Sequence, residues 1–412
     1  MGISIGLVGL GSFGSCFAPL FKSHPLVSRI ALCDREPERI KKFADDPFFK
    51  DKFNPRDTFE SLDDICRSDL DALVIITQPW LHAPQCVQAM QAGKHVYSAV
   101  PIISIPDDDE ILDWCDKIIA AYKKTGKYYM LGETTYYRPS AMFCRRMAAE
   151  GAFGDFIYAE GEYFHDVDAG CSLREVQKSR LASKAGQEWI KIREKYAGKK
   201  LKTSPMHYPT HSTSGPVCVM KAHALKVNSY GYKNRNKDPF FAEYDFSNET
   251  AIYKMSNGAT VRICEFREVA GSIADNETFR ILGTRGTFCE NQWKENQRAA
   301  PMSARPLAVK KLTAEEMRDP LPPEVQEAFK KAMNPTKNKA ALQNMDFVPS
   351  GHGGSHPYLV HEFVDAVARN RQPAINIWEA ARYMAMGVMA HKSALKDGKT
   401  LSVPDWGDAP SR

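Results

Sequence analysis

The sequence contains no Cys-x-x-Cys pair although it has 10 cysteines, and that absence removes the common zinc-ribbon and thiol-redox motifs. Its cysteines (Cys16, Cys33, Cys66, Cys86, Cys115, Cys144, Cys171, Cys218, Cys264, Cys289) are scattered, mostly within apolar runs where a reduced thiol packs as a small hydrophobe. A disulfide framework is therefore not expected, and a reducing, cytoplasmic compartment is. No apolar run reaches membrane-spanning length. Charge of one sign is also missing as a block: 55 basic and 50 acidic residues are spread along the chain for a net +5, which indicates no nucleic-acid or membrane partner. An export signal is not expected either, since the start lacks basic, apolar and small-residue regions in series. Met1-Gly2 is followed by Gly6 where a myristoylation signal carries Ser or Thr. No internal repeat is apparent.

What is present is the composition of an ordinary folded protein, with 43% hydrophobic and 25% charged residues over 412 positions. That length suits two domains better than one core. From Ile3 to about Gly151, short apolar runs (Ile3–Val8, Ile30–Cys33, Ala72–Thr77, His95–Ser98, Tyr128–Leu131) alternate with segments of helical period (Ser12–Lys22, Glu36–Ala44, Leu81–Ala92, Asp107–Thr125, Tyr137–Glu150). Strand and helix in alternation predict a doubly wound parallel sheet over 1–151. Gly93 and Gly126 close two of the helices, and Pro106-Asp107 opens another with acids at its positive end.

After Gly154 the rhythm changes to longer strands: Asp155–His165, Ala224–Tyr232, Thr250–Ser256, Ala259–Arg267 and Thr278–Leu282. Asn257-Gly258 joins two of them and predicts a hairpin with a type I′ turn. An α+β domain with an antiparallel sheet is thus expected over 152–412, closed by helices at Tyr358–Arg369 and Ile377–Leu395 that pack back on the protein. The stretches 172–202 and 297–349 read as surface excursions without an assigned structure.

Gly9-Leu10-Gly11-Ser12-Phe13-Gly14 follows the first strand and opens the first helix. In that context the glycines serve a tight turn, close approach of a pyrophosphate, and helix-to-strand packing. The helix N-terminus offers unpaired N–H groups to the phosphates. Asp34 ends the second strand where an acid meets the adenosine ribose, and favours NAD over NADP because a carboxylate repels a 2′-phosphate. Arg35 beside it leaves NADP open.

With these features, the Ile76-Thr77-Gln78-Pro79 strand end followed by His82, and the Ala92-Gly93-Lys94-His95-Val96 turn, the chain resembles the Gfo/Idh/MocA oxidoreductases along nearly its whole length. The resemblance implies a Rossmann domain (α/β) followed by an α+β domain with a large, open, mostly antiparallel sheet. It also implies NAD contacts from Gly9, Gly11, Ser12, Phe13, Gly14, Asp34, Arg35, Thr77, Gln78, Pro79, His82, Val100 and Pro101. One departure is informative. Most members carry Glu-Lys-Pro after the fifth strand, the lysine touching the substrate hydroxyl, whereas this chain has Ala99-Val100-Pro101.

That change resembles the family's NAD-dependent glycoside hydrolase branch, typified by bacterial α-N-acetylgalactosaminidases. Further matches are Glu133 with Tyr136-Tyr137-Arg138, Tyr163-Phe164-His165-Asp166, Tyr208-Pro209-Thr210-His211 followed by Gly215-Pro216-Val217, and Gly351-His352-Gly353-Gly354. The likeness places Glu133, Tyr163, Tyr208 and His211 on the branch's active-site positions, and Tyr136, Arg138, His165, Asp166, His207 and His352 around the substrate. The loop after Asp166 and the 172–202 segment depart from it, which puts the sugar recognised in question. The implied reaction oxidises carbon 3 of the sugar transiently, eliminates the C1 substituent, adds water and re-reduces.

The chemistry fits residue by residue. Imidazole titrates near neutral pH, so His211 is the candidate base for a sugar hydroxyl. Tyr208 and Tyr163 are candidates to polarise a carbonyl or shuttle protons, and Glu133 to hold a hydroxyl or assist at C1. Blander readings compete: His165 and Asp166 as a structural pair, His352 and His356 as exposed loop residues, and the tryptophans Trp189, Trp293, Trp378 and Trp406 as core rather than sugar platforms. His207 and His211 have the H-x-x-x-H spacing of a zinc helix, but Pro209 disfavours one helix through both and no metal is expected. A sugar or polyol dehydrogenase with net hydride transfer, and a non-catalytic NAD sensor, are the alternative functions. A homo-oligomer through the face of the C-terminal sheet is expected from the resemblance.

Overall fold

The computed structural model describes residues 2–170, 172–271, 277–295, 307–334, 336–337, 341–342 and 345–410. Two sheets organise them. The first holds β1 (Ile3–Val8), β2 (Val27–Cys33), β3 (Phe53–Phe59), β4 (Ala72–Ile75), β5 (His95–Ser98) and β6 (Tyr129–Leu131) in the order β3-β2-β1-β4-β5-β6. Every pair in it is parallel. Its central strands are apolar on both faces, as burial between two helix layers requires. Those layers are built from α1 (Ser12–Ser23), α2 (Pro37–Ala44), α3 (Leu62–Cys66), α4 (His82–Gln91) and α5 (Asp108–Thr125). Gly126 caps α5 at φ +67°, and Asp107 accepts the Glu110 N–H at its other end.

After α6 (Pro139–Ala149) comes β7 (Phe156–Phe164), a central strand of the second sheet. The excursion 172–202 is two helices, α7 (Leu173–Ala182) and α8 (Lys184–Gly198), whose N-termini are capped by Ser172 and Ser183. The chain then forms α9 (Thr210–Met220) and β8 (Ala224–Tyr232), β9 (Asn248–Met255), β10 (Thr260–Phe266), β11 (Glu277–Gly283), β12 (Gly286–Cys289), β13 (Gln292–Glu295) and β14 (Ala308–Lys311). Helices α10 (Ala314–Met317), α11 (Pro323–Met333), α12 (His356–Ala368) and α13 (Ile377–Ala394) and the short β15 (Leu401–Ser402) complete it. The second sheet runs β14-β13-β12-β11-β7-β10-β9-β8-β15, antiparallel except where β7 lies beside β10. The closing helices do pack back, α13 against both β8 and α5.

Helix α9 matters most for position. All 11 of its residues are buried, because it lies between β7 on one side and α6 and α13 on the other. Its approach to the sheet is set by glycine: a Cβ on Gly161 of β7 would stand 1.8 Å from the Ser212 carbonyl oxygen.

Four segments differ from the sequence pattern or go beyond it. Strand β3 and helix α3 escape the pattern because Asn54-Pro55-Arg56-Asp57 is polar, and an edge strand tolerates both polarity and proline. The 172–202 segment is ordered by an amphipathic face, Trp189 and Tyr196 being the buried aromatics of α8. The β9–β10 hairpin forms, but only Gly258 has positive φ, and its N–H is donated to the Met255 carbonyl. That geometry is a type I turn with a bulge rather than type I′. Of the 297–349 stretch, β14, α10 and α11 are now assigned, while 297–306, like Cys171, lie outside the described residues.

Candidate active site

The glycine turn comes first, since it lies at the carboxyl end of the central strand where open α/β sheets bind ligands. Gly9 has φ +92°, and a Cβ there would lie 2.3 Å from the Ile76 carbonyl oxygen. A Cβ on Gly14 would meet the Gly9 carbonyl oxygen at 2.0 Å, so helix and strand touch only because both are glycine. Gly11 is different: the nearest atom to its Cβ position is Arg39 Nη1 at 3.8 Å, which leaves room in front of the α1 N-terminus. That terminus, with Ser12 and Phe13 in its first turn, carries no side-chain cap. Open N–H groups, positive dipole and space together fit a dinucleotide pyrophosphate.

Asp34 is buried and does something the sequence pattern did not indicate. Its Oδ2 accepts the Leu10 N–H at 2.7 Å and its Oδ1 accepts the Glu36 N–H at 2.9 Å, so the carboxylate clamps the glycine turn. Arg39, missed in the sequence, stands 3.5 Å from Oδ1. Arg35 turns outward into a two-bond pair with Glu188 of α8, at 2.6 Å for each bond. Along the cleft, the Thr77 hydroxyl is donated to Gln85, and the Gln78 carbonyl accepts the Leu81 N–H ahead of Pro79. His82 does not face the cleft. It is buried, its ring nitrogens lie 2.9 Å from the Pro101 carbonyl and 3.3 Å from the Thr77 carbonyl, and burial lowers its pKa to about 4. It ties the ends of β4 and β5 together and acts through the loops it holds.

Beyond Val100 the candidate reacting groups come from α9 and the chain before it, from the second sheet and from the segment after β6. The Tyr208 hydroxyl is donated to the Val100 carbonyl at 3.2 Å, joining the two halves at the position where lysine is common. One helical turn of chain later His211 enters from α9, and its Nδ1 lies 2.9 Å from Glu133 Oε1, just past β6. The same nitrogen is 3.8 Å from Glu277 Oε2 at the start of β11. Both carboxylates are buried. Glu133 also accepts the Thr135 N–H, and Glu277 accepts the Thr135 hydroxyl and pairs with Arg138 at 2.8 Å. Tyr163 presents its ring edge-to-face to His211 at 4.9 Å, and its hydroxyl lies 2.5 Å from His165 Nδ1. Arg267, paired with buried Glu265, sits over the other part of the Tyr163 ring at 4.6 Å.

The electrostatics follow from this packing. Burial pushes the His211 pKa down, but Glu133 and Glu277 outweigh it and raise it to about 9. Glu277 resists burial in the opposite sense, drawn below the usual carboxylate range by His211 and Arg138. Burial raises both phenols, Tyr163 and Tyr208, so they are neutral hydrogen-bond donors at physiological pH. Burial raises Glu265 to about 7. His352, on the glycine loop, is lowered by burial and by His211, and lies 2.9 Å from His356. At rest the centre is an imidazolium held between two carboxylates, with two phenols and a guanidinium beside it.

The structure therefore brings together Glu133, Tyr163, Tyr208, His211, His165 and Arg138, with His352 at the edge. Three expected neighbours are elsewhere. His207 is buried against Asp108 at 2.9 Å and packs on His391, because the break at Pro209 turns it away from α9. Asp166 accepts the Asp168 N–H and shapes its own loop rather than pairing with His165. Tyr136 lies under the Arg145 guanidinium, 3.9 Å from ring centre to charge. Glu277, Thr135, Glu265 and Arg267 were missed. A carboxylate in the middle of the apolar run Val261–Phe266 marked Glu265, but nothing local marked Glu277.

Ligand atoms of Glu133, His211 and Glu277 lie within 4.8 Å of one another, as do those of Asp108, His207 and His391. In the first group Arg138 and Thr135 already occupy Glu277, and a guanidinium at that distance opposes a metal cation.

Residues 3–133 match the oxidoreductase family with an NAD-binding Rossmann fold, known as Gfo/Idh/MocA, and residues 222–410 match the glycosyl hydrolase 109 C-terminal domain. A glycosyl hydrolase family 109 protein of Stenotrophomonas maltophilia (strain K279a) is 24% identical over 98% of this chain and 89% of its own. The alpha-N-acetylgalactosaminidase of Tannerella forsythia is 24% identical over 81% of this chain and 70% of its own. Among solved structures, levoglucosan dehydrogenase in complex with NADH and levoglucosan superposes with TM-score 0.69 at 17% identity, covering 98% of this chain and all of the other (100%). Aldose-aldose oxidoreductase from Caulobacter crescentus does so with TM-score 0.65 at 17% identity, with 98% and 100% covered. These superpositions establish the shared two-sheet fold.

Proposed function

The chain belongs to the Gfo/Idh/MocA oxidoreductases and is similar there to the glycosyl hydrolase 109 branch, and from that premise we propose that it hydrolyses glycosides with NAD as a recycled cofactor. The observation that carries this reading is the buried cluster of Glu133, His211 and Glu277 facing Tyr163 and Tyr208 at the carboxyl ends of β5 and β6. Residues 1–151 would form the dinucleotide domain and 152–412 the substrate domain. Gly9, Gly11, Ser12, Phe13 and Gly14 would hold the pyrophosphate, and Thr77, Gln78, Pro79, Val100 and Pro101 the nicotinamide end. Asp34, by fixing the turn and carrying negative charge toward the ribose, favours NAD over NADP.

NAD supplies a reversible two-electron acceptor, so a sugar carbon can be a ketone for part of the cycle and an alcohol again at its end. The protein's own groups handle protons. His211, once relieved of its proton, takes that of the reacting hydroxyl, and Glu133 behind Nδ1 orients the ring and stabilises the charge it acquires. Tyr163 and Tyr208, on leaving His165 Nδ1 and the Val100 carbonyl, would donate hydrogen bonds to the oxygen that becomes a carbonyl. With the ketone in place the neighbouring C–H is acidic: a second base takes its proton, the C1 substituent leaves with a proton as a C=C bond forms, and water then adds at C1 while a proton returns to the neighbouring carbon. Such a cycle needs no pair of carboxylates flanking the glycosidic bond.

Incubation with aryl glycosides tests the proposal. Aglycone release without NADH accumulation is expected. NADH rising in step with substrate would instead mean a dehydrogenase, and no turnover at all with NAD bound would mean a sensor.

Two further features belong to the proposal. The described cysteines are all unpaired, in keeping with a reducing cytoplasm. The outer face of the second sheet exposes Tyr230 and Ile252 on neighbouring strands, the kind of apolar surface that a second copy of the chain would cover.

A further inference from the structure

Helices α7 and α8, which depart from the family pattern, wall a cavity of about 910 Å³ against the first sheet's loops. Its floor includes Pro79, Trp80 and Ser104 to Pro106, on the same two loops as Gln78 and as Val100 and Pro101. Aromatic rings form part of its wall. Trp80 and Trp189 stack at 5.0 Å with planes 15° apart, and Tyr196, Phe240 and Tyr244 join them. One guanidinium stands out. Arg193 on the same wall pairs with Glu243, and Arg174 on α7 pairs with Asp168 and Asp238. Arg180 lines the cavity half-buried, with no side-chain hydrogen bond or ion pair to any described residue. Its charge acts on both Tyr208 and His82, so this wall of the cavity lies within electrostatic reach of the candidate centre.

A partly desolvated cation without a counter-charge is costly, and natural proteins keep one where a ligand supplies the anion. The volume is that of a small-molecule site, and the flat walls suit a ring. We propose that this cavity is the aglycone subsite and that its substrates are glycosides of aromatic acids, with the ring against the Trp80–Trp189 pair and the carboxylate on Arg180. This assignment rests on the glycosidase reading for the word aglycone, but not for the site itself.

The test is calorimetric titration of the NAD-loaded full-length protein with benzoate and with benzyl alcohol, which share a ring and differ in charge. Benzoate is expected to bind at least about tenfold more tightly, the value of a charge-assisted hydrogen bond in a sheltered site. Arg180→Gln should erase that preference while leaving the thermal midpoint in place, because its side chain holds nothing else, and Arg180→Lys should keep part of it. Equal affinity for the two probes, no benzoate binding, or a preference unchanged in Arg180→Gln overturns the subsite. Aglycone release is scored separately. If aryl glycosides are not hydrolysed but the Arg180-dependent preference stands, the glycosidase proposal fails and the anion site survives.

Discussion

At His211 the protonation state is decided before any substrate arrives. A histidine whose pKa stands at about 9 is an acid at neutral pH, and a hydroxyl can be deprotonated only by the fraction that has lost its proton. Activity in kcat/KM should therefore rise with pH through the His211 transition. Glu277→Gln removes one of the two charges holding that proton, so the acid limb should move to lower pH, and NMR titration of the His211 ring should move with it. An unshifted limb would mean that His211 is not the base. The same shift has a sign for stability. Because the folded pKa lies above the unfolded value of 6.5, the stabilisation is complete below pH about 6.5 and is lost as pH rises through about 9. His391, raised to about 10 by Glu249 and Asp245 against the effect of burial, adds to the same alkaline loss. His82 runs the other way. Held neutral by burial with a pKa of about 4, it costs stability as pH falls from 6.5 towards that value.

Among the elements, α9 is the one that places the proposed base. It carries His211 on a helix buried on every side, and its contact with β7 passes through Gly161. Replacing Gly161 by Ala sets a methyl 1.8 Å from the Ser212 carbonyl, an overlap only backbone movement relieves. Gly161→Ala should destabilise the fold by about 1–3 kcal/mol in denaturant titration. It should also lower kcat by at least about tenfold, since shifting a catalytic group by a fraction of an ångström is costly. A variant with wild-type kcat would show that α9 does not position His211. Helix α8 is an element of another kind, tied to the first domain by the Arg35–Glu188 pair and by Trp189 against Trp80. The ion pair is exposed and contributes little, roughly 0–1 kcal/mol, so the aromatic stack dominates that contact.

For the whole molecule, the outer face of the second sheet is the open question that solution measurement answers. Tyr230 and Ile252 lie on adjacent strands, and Tyr230 is 63% exposed. Light scattering should report a dimer or larger for the native protein and a monomer for Ile252→Lys, which puts a charge at the centre of that face and leaves the interior untouched. A native monomer at micromolar concentration would refute self-association through the sheet.

Short-range patterns determined a good deal by themselves: the parallel sheet, whose buried strands read as unbroken apolar runs, the glycine turn that only a residue without Cβ can make, and the positions of α12 and α13 from their helical period. These are properties of a few consecutive residues, so sequence is enough to read them. The polar edge strand β3 and the helix pair α7–α8 were harder, because solvent-facing elements need no apolar alternation. The charge state of the centre belonged to tertiary structure alone. Thr135 and Glu277 are 142 residues apart, and His211 and Glu133 are 78 apart. Only the packing of β11 beside β7 and of α9 across them brings those groups together in a medium dry enough for their charges to act. The inward turn of Asp34, the removal of His207 to another cluster and the guanidinium of Arg180, without a partner among the described residues, have the same origin, since a side chain's partners are chosen by the fold and not by its neighbours along the chain.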